Sequence, residues 1–411
     1  MESFLVNFKN NTQDIIKKTE KETLNTFKTE VPSIDFHHKD EKSFNEFSKI
    51  TEKTYRECFK FPPKMFSNTE LIDFGAGTGH NTISLANWGA KCTLVELSDK
   101  SLGIAKEVFE LRAKNLENHR FVNSSIFDYE EKNKLYDIVH CRGVLSHTAG
   151  KEKAFKKISS YLKKGGYLIF GDPNKAGGFQ NMLQRYALYK FSNNDEEIVK
   201  NSEILFKEDI DRSQAAVPRT RNEIIYDRWV IQSQDDPSLE EVTKWMSDCG
   251  LKLYSSYPAY PQFLLTDSHC NKNKVDFEKV KNIPVLSEIL WMMKTEDDIS
   301  ESKTIEKDLS VLNNHFNKFA SYVANCNKKT KIETKEFFEL SDDILNSIDD
   351  VSFVNKLKDK FKNFILESKE LVKIVNSKNI SDVDEHIKKC SLLFKGPCGV
   401  RHVDFIAHKE I

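Results

Sequence analysis

The segment Leu71-Ile-Asp-Phe-Gly-Ala-Gly-Thr-Gly-His80 constrains this chain more than any other. An apolar run of strand length stops at three glycines on alternate positions, and a helical pattern begins directly behind them. Glycines there let a ligand approach the main chain. The helix that follows presents unpaired N–H groups and the positive end of its dipole. A strand, a glycine turn and a helix in this order predict a parallel sheet with covering helices. The spacing is GxGxG, whereas the dinucleotide-binding turn uses GxGxxG. Asp73, two residues ahead of the first glycine, suits a ligand that carries an amino group and would repel a pyrophosphate.

The pattern continues behind that turn. Strands are expected at Glu70–Phe74, Cys92–Leu97, Arg120–Asn123, Ile138–Cys141 and Tyr167–Gly171, with helices at Ser98–Leu116 and Lys151–Leu162 between them. Gly165-Gly166 is expected to turn the chain into the fifth strand. Ser238, Glu241 and Gly250 bracket a capped helix, and Leu251–Tyr257 follows as a sixth strand. The second strand, Thr93-Leu-Val-Glu96, ends in a carboxylate placed to take both hydroxyls of a ribose. Phe121–Asp128 leaves the third strand where it could flank an adenine. Tyr136–Thr148 is the fourth strand and the loop at its carboxyl end, where open α/β sheets bind ligands.

These four segments, in this order over roughly residues 66–172, resemble the motifs of class I S-adenosylmethionine (SAM)-dependent methyltransferases. The run Gly143-Val-Leu-Ser-His-Thr148, followed by Leu162-Lys-Lys-Gly-Gly-Tyr-Leu-Ile169, is similar to the small-molecule branch. The resemblance implies that SAM is the cofactor. Its methionine part would lie on Asp73, Gly75, Ala76, Gly77 and Gly79, its ribose on Glu96 beside Leu97, and its adenine on Ser125 and Ile126. Cys141, Arg142 and Gly143 would form the floor beneath the sulfonium. Two positions depart from the pattern: Ser125 stands where the family commonly has Asp, and Ser146 replaces the first histidine of a pair, leaving His147. Methyl transfer is an in-line displacement, so His147 is the candidate group to take a proton from the acceptor, with Asp172 an alternative. No metal is expected.

Behind the fifth strand, Arg219-Thr-Arg-Asn-Glu-Ile-Ile-Tyr-Asp-Arg-Trp229 concentrates cations beside aromatics. Arg219, Arg221, Tyr226, Arg228 and Trp229 are therefore candidate acceptor contacts, suited to an anionic or planar molecule. An ion-paired lid is the competing reading of the same residues. The acceptor itself is expected to be a small molecule. A net charge of −1 over 411 residues and interleaved lysines and acids speak against a nucleic-acid partner. Eight cysteines without a CxxC pair read as free thiols, and the absence of a signal peptide or a membrane-length apolar run makes a cytoplasmic location the expectation. A SAM-binding subunit without catalysis, a nucleic-acid methyltransferase and a dehydrogenase are the competing functions.

The expected architecture is α/β: a Rossmann-like, seven-stranded, mostly parallel sheet with helices on both faces, plus an α-helical insertion or bundle in the C-terminal half. Residues 1–66 read as an N-terminal helical segment and 67–261 as the SAM-binding unit, with a lid at about 175–230. Residues 262–395 contain no glycine and read as a helical insertion, through which a homo-oligomer could form. Its clearest helices are Thr304–Asn325, Val351–Asn376 and Asp382–Phe394. Residues 396–411 would return to the sheet, with a helix break at Gly396–Gly399 and His402–His408 as an antiparallel seventh strand. The rival arrangement completes the sheet with Phe263–Thr266 and appends the helices behind it.

Overall fold

The computed structural model describes residues 2–29, 40–216, 219–231, 235–258, 285, 288, 289, 292, 310–326, 331–349, 355–395 and 402–410. Seven strands form one sheet: β1 (Glu70–Phe74), β2 (Lys91–Glu96), β3 (Arg120–Asn123), β4 (Tyr136–Arg142), β5 (Leu162–Pro173), β6 (Leu251–Tyr257) and β7 (His402–Lys409). Their order is β3-β2-β1-β4-β5-β7-β6, with β7 antiparallel to both neighbours and the other pairings parallel. Strand β1 is central, with Leu71–Phe74 all buried, because helices cover both faces and leave no solvent side to alternate toward.

Two cores sandwich the sheet. One gathers Phe74, Val95, Tyr136, Phe155, Phe170, Trp245 and Phe405; the other gathers Leu71, Leu94, Ile138, Ile169 and Ile406. The second also takes Phe47, Tyr55, Phe59, Phe61 and Phe66 from the N-terminal segment. The boundary expected near residue 66 therefore separates no two cores. These five aromatics cover one face of the sheet.

The closing strand comes from the end of the chain. Strand β7 pairs with β5 from Tyr167↔His408 to Pro173↔His402, and with β6 from Leu251↔Lys409 to Tyr257↔Asp404. The rival segment Phe263–Thr266 and the break at Gly396–Gly399 lie outside the described residues. Between β6 and β7 in sequence run helices Ser310–Ala324, Thr334–Asp349, Asn355–Ser377 and Ile380–Lys389. Thr334–Asp349 had no counterpart among the helices expected from sequence. These helices share one apolar core with Phe179–Lys190, Asp195–Leu205 and the Trp229 segment. The lid expected at 175–230 and the helical insertion thus pack as one layer, since each amphipathic stripe needs the other to leave water.

One local expectation is corrected. Gly165 and Gly166 do not precede β5 but lie inside it, at an irregularity where Tyr136 pairs Leu162 and Ile138 pairs Tyr167. Gly165 has φ +77°, and a Cβ on Gly166 would stand 2.7 Å from the Asp137 carbonyl oxygen, so the bulge admits only glycine. Ser238 and Glu241 form the expected capping box, and Gly250 ends that helix at φ +67°.

Candidate active site

At the carboxyl ends of the parallel strands lies a cavity of about 520 Å³, within the range of drug-sized ligand pockets. The loop after β1 builds one wall. Gly75, Gly77 and Gly79 adopt φ of +72°, +55° and +75°, which L side chains rarely take, and Gly79 starts helix His80–Asn87. The closest constraint is at Gly75, where a Cβ would meet Val144 Cγ2 at 2.4 Å. That contact packs the β1 turn directly on the β4 turn. Gly75 and Ala76 donate to the Val95 carbonyl at 2.8 and 3.2 Å, tying the loop to β2.

Glu96 ends β2 with its carboxylate in the cavity wall, 7% exposed. Its two oxygens accept from Gly77 N and Ser98 N, each at 2.8 Å. Burial raises its pKa, and the two backbone donors oppose that rise. One lone pair on each oxygen remains for further donors. A ribose diol beside a carboxylate fixed at both oxygens is a sound match, and the residues present fit the nucleoside of SAM. Leu97, Ser125 and Ile126 line the same end, as do Glu20, Thr23 and Leu24 of helix Glu2–Thr29.

The opposite end is more polar than the sequence indicated. Arg142 ends β4 and Gly143, Val144, His147 and Thr148 follow it, Pro173 ends β5, and Arg219, Asp227 and His402 close the space. Arg142 holds Asp404 of β7 through Nε–Oδ1 at 2.5 Å and Nη2–Oδ2 at 3.1 Å, and its guanidinium lies 5.1 Å from the centre of the Phe59 ring. Burial alone would raise the Asp404 carboxyl, but the charges and hydrogen bonds of Arg142 and His402 together outweigh it and hold the group well below the usual carboxylate range. His402 Nε2 lies 3.2 Å from Asp404 Oδ1. A carboxylate only accepts, so Nε2 carries a proton and donates it to Asp404. Gly171 on β5 makes room for the group, since a Cβ there would fall 2.0 Å from Asp404 Oδ1.

Several residues expected at the site are elsewhere. Asp73 does not line the cavity; it is buried behind the glycine loop, bonded by Thr82 Oγ1 and by His140 Nδ1 at 2.7 Å, while His140 Nε2 meets Tyr55 Oη at 3.1 Å. It anchors β1 to β4 and to the first turn of the helix behind the loop. Cys141 is fully buried among apolar side chains of the sheet, because alternation along β4 turns its neighbour Arg142 to the cavity instead. Gly79 caps its helix and faces Ala105.

Of the acceptor candidates, only Arg219 lines the cavity, with Asp227 bound to it at 2.9 Å. Arg221 pairs Glu203 and Asp211, and Arg228 reaches Asp209 at 2.6 Å. Trp229 is fully buried and donates to Gln184 at 3.3 Å, and Tyr226 packs on the helical core. These four are structural members of the helical layer, the ion-paired reading of their segment. Sequence reasoning missed His402 and Glu20. His402 and Asp404 are polar residues two apart at the start of a strand whose next three residues, Phe405–Ala407, are apolar, which marks one face of that end as special. Glu20 had no local signal, because it meets Ser125 only through the fold, 105 positions away.

Among known proteins, a family model described as a methyltransferase domain matches residues 47–202. The ubiquinone biosynthesis O-methyltransferase of Nitrosomonas europaea is 30% identical over 109 residues, covering 26% of this chain and 46% of that protein. Its counterpart in Nitrosospira multiformis is 29% identical over 106 residues, 26% of this chain and 44% of that protein. The chain thus spans less than half the length of these curated relatives. Solved structures with similarity include magnesium protoporphyrin IX methyltransferase from Synechocystis with bound S-adenosylhomocysteine, at TM-score 0.31 and 14% identity over 52% of this chain and 75% of that one. A SAM-dependent methyltransferase from Clostridium acetobutylicum matches at TM-score 0.25 and 22% identity, over 35% and 52%. The family match over residues 47–202 takes in strands β1 to β5, the glycine loop and Glu96.

Proposed function

We propose that this chain transfers the methyl group of SAM to a hydroxyl oxygen of a small molecule. The observation that carries this reading is the continuity of the cavity. One end has the glycine loop and Glu96, and the other has Arg142, His147, Arg219, Asp227 and His402 with no wall between. A nucleoside-binding half and an acid–base half in one space are what an in-line displacement needs. The names of the curated relatives favour oxygen as the accepting atom.

When bound, SAM supplies an electrophilic methyl on a sulfonium. The chain's own residues align and deprotonate. Glu96 and the loop Gly75–Thr78 hold the nucleoside and amino acid ends. His402 Nδ1, or His147, would take the proton from the acceptor hydroxyl. Asp404 stabilises the imidazolium that results at His402, and Arg142 keeps Asp404 ionised. The partly exposed His402 side chain (38%) then returns the proton to water. Arg219 and Asp227 orient the acceptor.

Calorimetry with S-adenosylhomocysteine should show one site per chain. Transfer of labelled methyl to phenols, with 3,4-dihydroxybenzoate as first probe, should then give an O-methyl product. Binding of the nucleoside without transfer to any phenol, amine or thiol acceptor would make the chain a SAM-binding subunit. No binding would remove the reading altogether.

A further inference from the structure

The two ends of the nucleoside are fixed by where Glu96 and the glycine loop stand, so the base must extend toward the exit of β3, away from Gly75–Thr78. There the wall comes from two sources: Ser124–Phe127, and one face of the N-terminal helix carrying Glu20, Thr23 and Leu24. Glu20 and Thr23 are three residues apart and so share that face. The helix is seated by more than this contact. Ile16 is buried beside Gly150, and Lys17 bonds Asp128 at 2.5 Å.

The Glu20 carboxylate is 13% exposed and holds two partners, the Ser125 hydroxyl on Oε1 and Lys17 Nζ at 3.3 Å from Oε2. A carboxylate has about four acceptor positions, so two remain. Beside it, Thr23 Oγ1 is buried, lines the cavity and has no hydrogen-bond partner among the described residues. A carboxylate with spare acceptor capacity and an unpartnered hydroxyl together complement the edge of adenine, which offers an exocyclic amine and ring nitrogens. We propose that Glu20 of the N-terminal helix recognises the adenine amino group of SAM, with Thr23 at the neighbouring ring nitrogen. The helix would thereby provide the carboxylate that Ser125, on the sheet side, does not. This rests on the SAM-binding reading above.

The test is calorimetry of the full chain with two probes that differ only at the base. S-adenosylhomocysteine carries the amine, and S-inosylhomocysteine carries an oxygen in its place. The wild type should prefer the adenosyl compound by at least tenfold. Glu20→Ala should weaken the adenosyl compound roughly ten- to a hundredfold and leave the inosyl compound nearly unchanged, so the preference collapses. Glu20→Gln, whose amide can donate to the inosyl oxygen, should narrow the preference from the other side. Adding Ser125→Asp to Glu20→Ala should restore part of the lost affinity. If Glu20→Ala weakens both compounds equally, Glu20 merely seats the helix and the proposal is overturned. An unchanged preference in that variant overturns it too. Failure of the wild type to bind either compound would instead count against the SAM-binding reading itself.

Discussion

Replacing Asp404 by Ala tests whether the C-terminal strand is bonded to the catalytic sheet by charge as well as by its ladder. The carboxylate is 6% exposed and takes two hydrogen bonds from Arg142, which is 20% exposed. Removing it leaves a mostly buried guanidinium with its fork unpaired. Breaking one partner of a buried pair costs about 3–5 kcal/mol, and the residual exposure of Arg142 places this case near 3 kcal/mol. Arg142→Met should cost a similar amount, since it strands the carboxylate. The double variant should cost much less than the sum, with a coupling energy of about 2 kcal/mol. Urea unfolding followed by intrinsic tryptophan fluorescence reads these values, because Trp245 and Trp88 pack on the two faces of the sheet. The pH dependence supplies a second check. The Asp404 pKa is depressed on folding, so its contribution is full above the ordinary aspartate value near ~3.9 and is lost as pH falls through the folded value. The wild type should therefore lose more stability on acidification than Asp404→Asn does. A cost under about 1 kcal/mol for Asp404→Ala, or strict additivity in the double variant, would refute the argument.

Three further outcomes follow from the geometry. His402→Ala should lower turnover on 3,4-dihydroxybenzoate by roughly a hundredfold or more while S-adenosylhomocysteine binds normally; if His147→Ala alone produces that loss, the proton goes to His147. Gly75→Ala should destabilise the domain and weaken nucleoside binding, because its Cβ meets Val144 at 2.4 Å in a left-handed conformation; a variant with wild-type melting and affinity would contradict the packing of the two turns. Burial pushes the Asp172 carboxyl up to about 7, against the pull of His402 and the Ser146 N–H. The folded state therefore holds a proton that the unfolded chain releases from pH ~4 upward. This group's stabilising effect is complete below the unfolded value and declines by up to ~1.4 kcal/mol per pH unit until the folded value is passed. Asp172→Asn should remove that slope, and chemical denaturation at pH 5 and 8 would show whether it does.

Much of the cofactor half was legible in the sequence because its determinants are local. Leu71–Gly79 carries a strand, a turn that demands positive φ and a helix start within ten residues, and each feature is set by backbone sterics and short-range hydrogen bonding. Glu96 and the β3 exit followed from the same alternation, as did strand β7, whose apolar run needed a buried place. The polar end of the cavity was not legible, because nothing local joins its members. Arg142 and Asp404 stand 262 positions apart, and only the antiparallel insertion of β7 between β5 and β6 brings them together. The Arg219–Trp229 segment shows the converse. Its composition suggested a ligand surface, yet the fold turned Trp229 into core and gave Arg221 and Arg228 acidic partners, leaving Arg219 and Asp227 at the cavity. Asp73 was drawn inward for a similar reason. On a strand flanked by β2 and β4 its side chain met His140 and Thr82, and a buried carboxylate is held by the donors nearest to it. Sequence periodicity determines which residues leave water; the tertiary structure decides which polar groups meet once they have left it, because that depends on strand order and register rather than on neighbours in the chain.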